Sequence, residues 1–455
     1  MSRPAPRRRV AAVLLATAAL ALAACSAPGS NDSSAPKTKA PSEVSTDVAK
    51  AGKVTLRVWD QEVRGGQNAQ MTKLNQQFMD AYPNVTIKRT SKSFTDLKTT
   101  LKLALSGDTA PDVVEVNQGY PDMVSFVKAG YLQPLDSYAS VYKWADRYPS
   151  SLLDLNRVSD DASHFGEGKL YGLSQMGEFV GVYYNKTKLK QLGIAPPTTW
   201  DEFTTALAKA KQGGQVPIQF GNLDKWPAIH TFGVIQDQLA GKDEVRNLVF
   251  GKGGASWTDP KTVEAAKTLQ DWAKRGYFPS GVNGVGYDDS TKQFGQGKGV
   301  FLVTGTWAAA DLKGPMGDAL GMMPPPSASG SDPVTTGGQS LALGVTSKSA
   351  HPDVAAAYVN FMTDAKAAGV MQDTGNLPAV PATDAASQAS GVDADILDGW
   401  SSLNQDNGLV PYLDYSTPTF YDTLTAALQR LIGGQDSPEE FAKTLQADYE
   451  KFQQG

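Results

Sequence analysis

The sequence predicts an α/β fold in two lobes. Three observations carry that expectation. Strand and helix periodicities alternate from residue 53, they do so in two separate sets, and 41% of the 455 residues are hydrophobic, enough for a sizeable core. The first set opens with Val54-Thr55-Leu56-Arg57-Val58, apolar and polar in turn, the pattern of a half-buried strand. Residues 67–81 follow with Met71, Leu74 and Phe78 at helical spacing, and Pro83 closes that helix. Val85-Thr86-Ile87 returns to strand. Residues 94–105 are helical through Leu97, Leu101 and Leu105 and stop at Gly107, and residues 111–116 are strand again. This β-α-β-α-β succession points to a mainly parallel sheet covered by helices.

The second set begins with a strand over 179–184. Thr199-Trp200-Asp201-Glu202 forms a capping box that opens a helix with Phe203 and Leu207 on its inner face. Residues 216–220 are strand. Asp259-Pro260 starts a helix whose stripe is Val263, Ala266, Leu269, Trp272 and Ala273, ended by Gly276. Residues 300–303 form a short buried strand, and Ser437-Pro438-Glu439-Glu440 is another capping box.

The first residues read as an address. Arg3, Arg7, Arg8 and Arg9 form a positive region, and residues 10–24 are apolar apart from Thr17, too short a run for a comfortable permanent span. Leu22-Ala23-Ala24-Cys25 resembles a bacterial lipobox, and Cys25 is the chain's one cysteine. Residues 1–24 are therefore expected to be a lipoprotein signal peptide and Cys25 the lipidated residue, the anchoring taking two or more acyl chains. Residues 25–52 are rich in Ser, Ala, Pro, Lys and Thr and lack aromatics, the composition of a disordered tether. No apolar run of about 18 residues follows residue 52. The expected location is the outer face of the cytoplasmic membrane, held there by lipid alone.

Composition excludes several classes of chemistry. A net charge of −5 and a pI near 5.4 give no electrostatic reason to bind nucleic acid. One cysteine rules out an internal disulfide or a Cys-built metal centre, and His164, His230 and His351 lack metal-ligand spacing. There is no GxxxxGK[ST], no GxGxxG after a strand and no GxSxG elbow, so no cofactor or metal is expected. Paired carboxylates stay open, because 47 acids offer many pairs. What remains is an excess of aromatics beside Gly, Pro and amides in loops: Trp226, Trp307, and the group Tyr412, Tyr415, Phe420 and Tyr421. Flat rings next to amides and carboxylates suit carbohydrate, although each ring alone is equally well explained as core.

Several segments, in order over residues 53–375, carry a resemblance. They are Val58-Trp59-Asp60, Tyr82-Pro83-Asn84-Val85, Ser106-Gly107-Asp108 leading to Pro111-Asp112-Val113-Val114, and Ala129-Gly130-Tyr131-Leu132. Gly168-Lys169-Leu170-Tyr171-Gly172, Tyr183-Tyr184-Asn185-Lys186, Pro196-Pro197-Thr198-Thr199-Trp200-Asp201-Glu202-Phe203 and Gly305-Thr306-Trp307 continue it. Together they resemble the substrate-binding lipoproteins of bacterial ABC sugar importers, the extracellular solute-binding family 1 that includes maltose-binding proteins. The resemblance implies a two-lobed periplasmic-binding-protein-like (class II) fold with three interlobe crossings, near 173–179, 337–341 and 374–378. It implies lobe one as 53–175 plus 341–375 and lobe two as 176–337 plus 378–455. Ligand sits between the lobes, which close on it by hinge motion.

The resemblance also implies site residues. Gln61 and Glu62 follow the first strand, and Asn117, Gln118 and Gly119 follow the strand at 111–116. Glu178 matches an acidic crossing position, and Asn222, Asp224 and Trp226 lie on a lobe-two loop. Trp307 matches a stacking tryptophan, Gly338 and Gln339 lie at the second crossing, and Tyr415 and Phe420 close the set. No catalytic residue is implied. The expected function is a monomeric, lipid-anchored binding component that delivers a carbohydrate, an oligosaccharide for preference, to the transmembrane permease of an ABC importer. A secreted glycoside hydrolase and a same-fold binder of a non-sugar solute remain as alternatives.

Overall fold

A computed structural model describes residues 39–252, 254–328, 331–382 and 389–454. The expected signal peptide, Cys25 and the tether as far as residue 38 lie outside the described residues. Two sheets organise the rest. In the first the strand order is Val85–Ser91, Val54–Asp60, Val113–Val116, Ala342–Val345, Leu173–Ser174. The first three strands are parallel, as the β-α-β-α-β pattern requires. Ala342–Val345 then returns antiparallel to both of its neighbours. Val54–Asp60 alternates buried and exposed positions, whereas Val113–Val116 is buried throughout, the mark of a central strand.

The second sheet runs Leu409–Val410, Thr335–Gln339, Gly177–Asn185, Phe301–Gly305, Ile218–Gln219, with Leu320–Met323 also paired to Gly177–Asn185. It does not repeat the parallel order of the first. Gly177–Asn185 is antiparallel to all three of its partners. This nine-residue strand enters directly from the first sheet, so its neighbours reach it by reversals rather than by helical crossovers.

The helices start where local chemistry says they should. Ser93 accepts from the Asp96 amide to cap helix Phe94–Ser106, and Ser437 with Glu440 forms a reciprocal box on helix Pro438–Gln453. At helix Trp200–Gln212 the Thr199 hydroxyl accepts from the Glu202 amide, but the Glu202 carboxylate reaches Thr198 instead, 2.8 Å from its amide and its hydroxyl. Helix Pro260–Lys274 buries Thr262, Ala265, Ala266, Leu269 and Trp272, while Val263 is only half-buried.

Three crossings join the sheets and lie side by side. Ser340 N donates to Met176 O at 2.9 Å, and Gly177 N donates to Leu377 O at 3.0 Å. Ala379 N donates to Gln175 O at 3.0 Å, which brings the third crossing onto the first. Gln118 secures the group from the first sheet. Its Nε2 lies 2.8 Å from Ser340 O, 3.1 Å from Asn156 Oδ1 and 3.3 Å from Ser174 Oγ.

The tether expectation is corrected for residues 39–52. This stretch forms two 3-10 turns, Pro41–Glu43 and Val48–Ala51, and Val48 is buried. Composition missed it because the partners lie far along the chain. Asn84 Nδ2 donates to Val48 O and Gly52 O, both at 2.8 Å. The Asp353 carboxylate receives Lys39 Nζ at 2.7 Å, Tyr138 Oη at 2.8 Å and Ser45 N at 3.1 Å. Substituting Asp353→Ala should cost about 1–3 kcal/mol in urea unfolding, since it removes charge-assisted hydrogen bonds and orphans a tyrosine. Lys39→Ala should cost less than about 1 kcal/mol, because a partly exposed ion pair is weak. Equal, negligible losses in both would show that the segment is not held by this carboxylate.

Candidate ligand-binding cleft

The segments that face the gap between the sheets share one origin: most follow the carboxyl end of a strand, where open α/β sheets place ligands. Gln61 and Arg64 follow Val54–Asp60, Phe94 follows Val85–Ser91, and Asn117 follows Val113–Val116. From the second sheet, Trp226 follows Ile218–Gln219, Trp307 follows Phe301–Gly305, and Tyr412, Asp414 and Tyr415 follow Leu409–Val410. Glu178 lies within the crossing strand itself, and Gln67, His230 and Tyr421 complete the wall from helices. They enclose a cavity of about 80 Å³.

Rings dominate the lobe-two wall, and Tyr287 sets their positions. Its hydroxyl receives Trp307 Nε1 at 2.8 Å and lies 2.9 Å from Thr304 Oγ1, and its ring centre is 4.4 Å from that of Trp226. Trp307 lies back over Gly305, where a β-carbon would come within 1.9 Å of the indole, so the Gly-x-Trp spacing is a packing requirement. His230 sits among the rings of Trp226, Trp307 and Tyr412 at 5.2, 5.3 and 5.7 Å. Burial pushes its pKa down to about 3, so the imidazole is neutral near pH 7, and Nδ1 has no partner among the described residues.

The two walls touch at defined points. Tyr415 Oη lies 3.2 Å from Asn117 Oδ1 and 3.1 Å from Gln118 Oε1. Arg64 Nε donates to Asp288 Oδ1 at 3.0 Å, and its guanidinium lies 4.9 Å from the centre of the Tyr287 ring. Phe94 meets Trp226 and Tyr421 edge-on, each at 6.3 Å.

Of the two carboxylates on the cavity, Asp414 is buried and Glu178 is half-buried. Tyr412 Oη donates to Glu178 Oε1 at 2.7 Å, and burial pushes the Glu178 carboxyl up to about 7 against that hydrogen bond. Burial likewise raises Asp414 to about 6, with Lys98 pulling the other way. Behind Gln61 lies an acidic group. Asp60 is bound by Arg89 through two hydrogen bonds of 2.6 and 2.8 Å, and Glu115 accepts from Gln61 N at 2.7 Å. Glu62 is fully buried, and neither of its carboxyl oxygens has a partner among the described residues. Burial and then the Asp60 charge push it up to about 8.

Of the residues singled out in the sequence, Gln61, Asn117, Glu178, Trp226, Trp307 and Tyr415 are brought together on the cavity. The others are placed elsewhere. Glu62 points into lobe one, and Gln118 is spent on the crossings. Gly119 packs against the Tyr415 side chain. Asn222 is fully buried, accepting from Ala228 N at 3.0 Å and donating to Asn283 Oδ1 at 2.9 Å, and so holds the start of helix Pro227–Ala240. Asp224 accepts from Tyr287 N at 2.8 Å. Gly338, at φ +139°, lies beside Leu155 on a separate groove, and Gln339 Nε2 donates to Leu152 O at 2.7 Å. Phe420 is core, 4.6 Å from Trp257. Tyr412 and Tyr421, part of the aromatic group noted in the sequence, also line the cavity, whereas Arg64, Gln67, Phe94, His230 and Asp414 carried no sequence expectation of lining it. The signal that finds most of them is position just past a strand end.

A family model for bacterial extracellular solute-binding proteins matches residues 65–369. The multiple sugar-binding protein of Streptococcus mutans is 26% identical over 336 residues, 72% of this chain and 76% of that one. The diacetylchitobiose binding protein of Streptomyces coelicolor is 24% identical, covering 68% of this chain and 65% of its own length. A solved chitin oligosaccharide binding protein superposes with a TM-score of 0.77 at 25% identity, over 89% of this chain and all of the other.

Glu62 ties the site to pH. Its raised pKa means that the folded state binds a proton more tightly than the unfolded state, so the stabilising contribution is complete below about pH 4.5 and is lost as pH rises through about 8. Glu62→Gln should therefore raise the melting temperature relative to wild type more at pH 8.5 than at pH 5. A difference independent of pH would contradict the raised pKa.

Proposed function

The chain belongs to the bacterial extracellular solute-binding protein family and is a binding protein rather than an enzyme, and from that premise we propose that it captures a carbohydrate between its lobes. The observation that carries this reading is the convergence of Trp226, Trp307, Tyr412, Tyr415 and Tyr421 with the amides of Gln61, Gln67 and Asn117 on one interlobe cavity. Aromatic faces stack on the apolar C–H faces of sugar rings, and amides and carboxylates exchange hydrogen bonds with hydroxyls. The sugar-binding names of the relatives support the same reading. Rings contributed by several segments of both lobes favour an oligosaccharide.

At about 80 Å³ the cavity is below the roughly 300–1,000 Å³ common for ligand sites, so the lobes part to admit cargo. The adjoining crossings are where such a hinge motion is absorbed. The protein is anchored through lipid on Cys25 and passes its cargo to the permease of an ABC importer as a monomer.

Calorimetry and thermal shift of the purified protein against mono- and oligosaccharides test the proposal. A cognate sugar at 100 times Kd should stabilise the fold by about 2.7 kcal/mol and be recovered chemically unchanged. Trp307→Ala should weaken binding at least tenfold, about 1.4 kcal/mol, through loss of the stacking face. Absence of saturable binding across the panel would overturn the carbohydrate reading.

A further inference from the structure

The charges around the cavity do not balance, and the imbalance bears on the class of carbohydrate, an inference that rests on the carbohydrate reading above. Two carboxylates line the ring-walled cavity, Glu178 and Asp414. Glu178 has Tyr412 as its hydrogen-bond partner and no cation beside it. Asp414 has no side-chain partner among the described residues. Its nearest cation, Lys98, is committed elsewhere, donating to Asp122 at 2.5 Å and lying 4.3 Å from the centre of the Tyr421 ring.

The other basic groups of the wall are equally committed. Arg64 is paired with Asp288 and also faces Asp311 and the unpartnered Glu62. His230 is neutral, as its lowered pKa requires. No described cation is therefore free to neutralise Glu178 and Asp414. Desolvation keeps both nearer to protonation than an ordinary carboxyl, against the Tyr412 hydrogen bond at Glu178 and the Lys98 charge at Asp414.

We propose that the cleft selects a carbohydrate bearing primary ammonium groups, amino sugar units whose cations are seated against Glu178 and against Asp414. Such a ligand supplies the missing counter-charge, and the faces of Trp226, Trp307 and Tyr412 favour a cation for the same electrostatic reason. An ammonium donates three hydrogen bonds and accepts none, which matches a carboxylate in its ionised form, the form that the ammonium itself favours. A uronate would place a third negative charge among them and is rejected.

The test is calorimetry of the purified protein near neutral pH with size-matched oligosaccharides: β-1,4-linked glucosamine, N-acetylglucosamine, glucose and a uronate series. The glucosamine series should bind about tenfold tighter than the neutral series, and that preference should shrink at high salt. Glu178→Gln and Asp414→Asn should each reduce the ratio of amine to neutral affinity several-fold. The ratio in the unmodified protein and its salt dependence decide the matter even where a variant folds poorly. A neutral or N-acetylated series that binds as tightly as the amine, or a uronate that binds best, overturns the inference and leaves the carbohydrate reading standing. No binding by any carbohydrate overturns both.

Discussion

The cleft depends on how the chain satisfies its backbone where it passes between lobes. Three crossings lie side by side, and buried peptide groups there need partners just as they do inside a sheet. The partners are the other crossings, through the bonds of Ser340 to Met176, Gly177 to Leu377 and Ala379 to Gln175. Gln118 adds a side-chain amide to the same group and stands within reach of the Tyr415 hydroxyl on the far wall. The crossings and the cavity wall are thus bonded through one residue.

Burial governs the electrostatics in the same way. Val54–Asp60 delivers Asp60, Glu62 and, through its neighbour strand, Glu115 to the end of one sheet, where only Arg89 makes a close bidentate pair. The acids that remain are held toward their neutral forms by desolvation. The cavity wall repeats the arrangement with Glu178 and Asp414.

The alternation of strand and helix was legible because periodicity reports burial directly, and caps such as Ser437 with Glu440 act within four residues. Loops that carry the site were also legible, since they follow strand ends. Which member of a pair faces the cavity was not. Gln61 points in and Glu62 away, and Asn117 points in while Gln118 turns to the crossings. Both pairs lie in loops past a strand end, where local turns such as the Val63 N to Gln61 O bond, and not strand periodicity, decide which side chain faces the cavity. Phe420 was misplaced for a related reason. It begins helix Phe420–Ile432 and its ring turns onto Trp257, whereas Tyr421, one step along, reaches the cavity. Tyr287 left no signal, because its role is to hold Trp226 and Trp307 from behind.

The position of Ala342–Val345 has a consequence for how the chain is made. This strand lies inside the first sheet, between Val113–Val116 and Leu173–Ser174, yet it comes some 170 residues after the second of these. Until it emerges, the strands at 113–116 and 173–174 have no common neighbour, and closing so long a loop carries an entropic cost before any contact repays it. The N-terminal half of the molecule therefore cannot finish folding while the rest is still being synthesised. A protein bound for export across a membrane benefits from that delay, since an unfinished core leaves the chain open for threading.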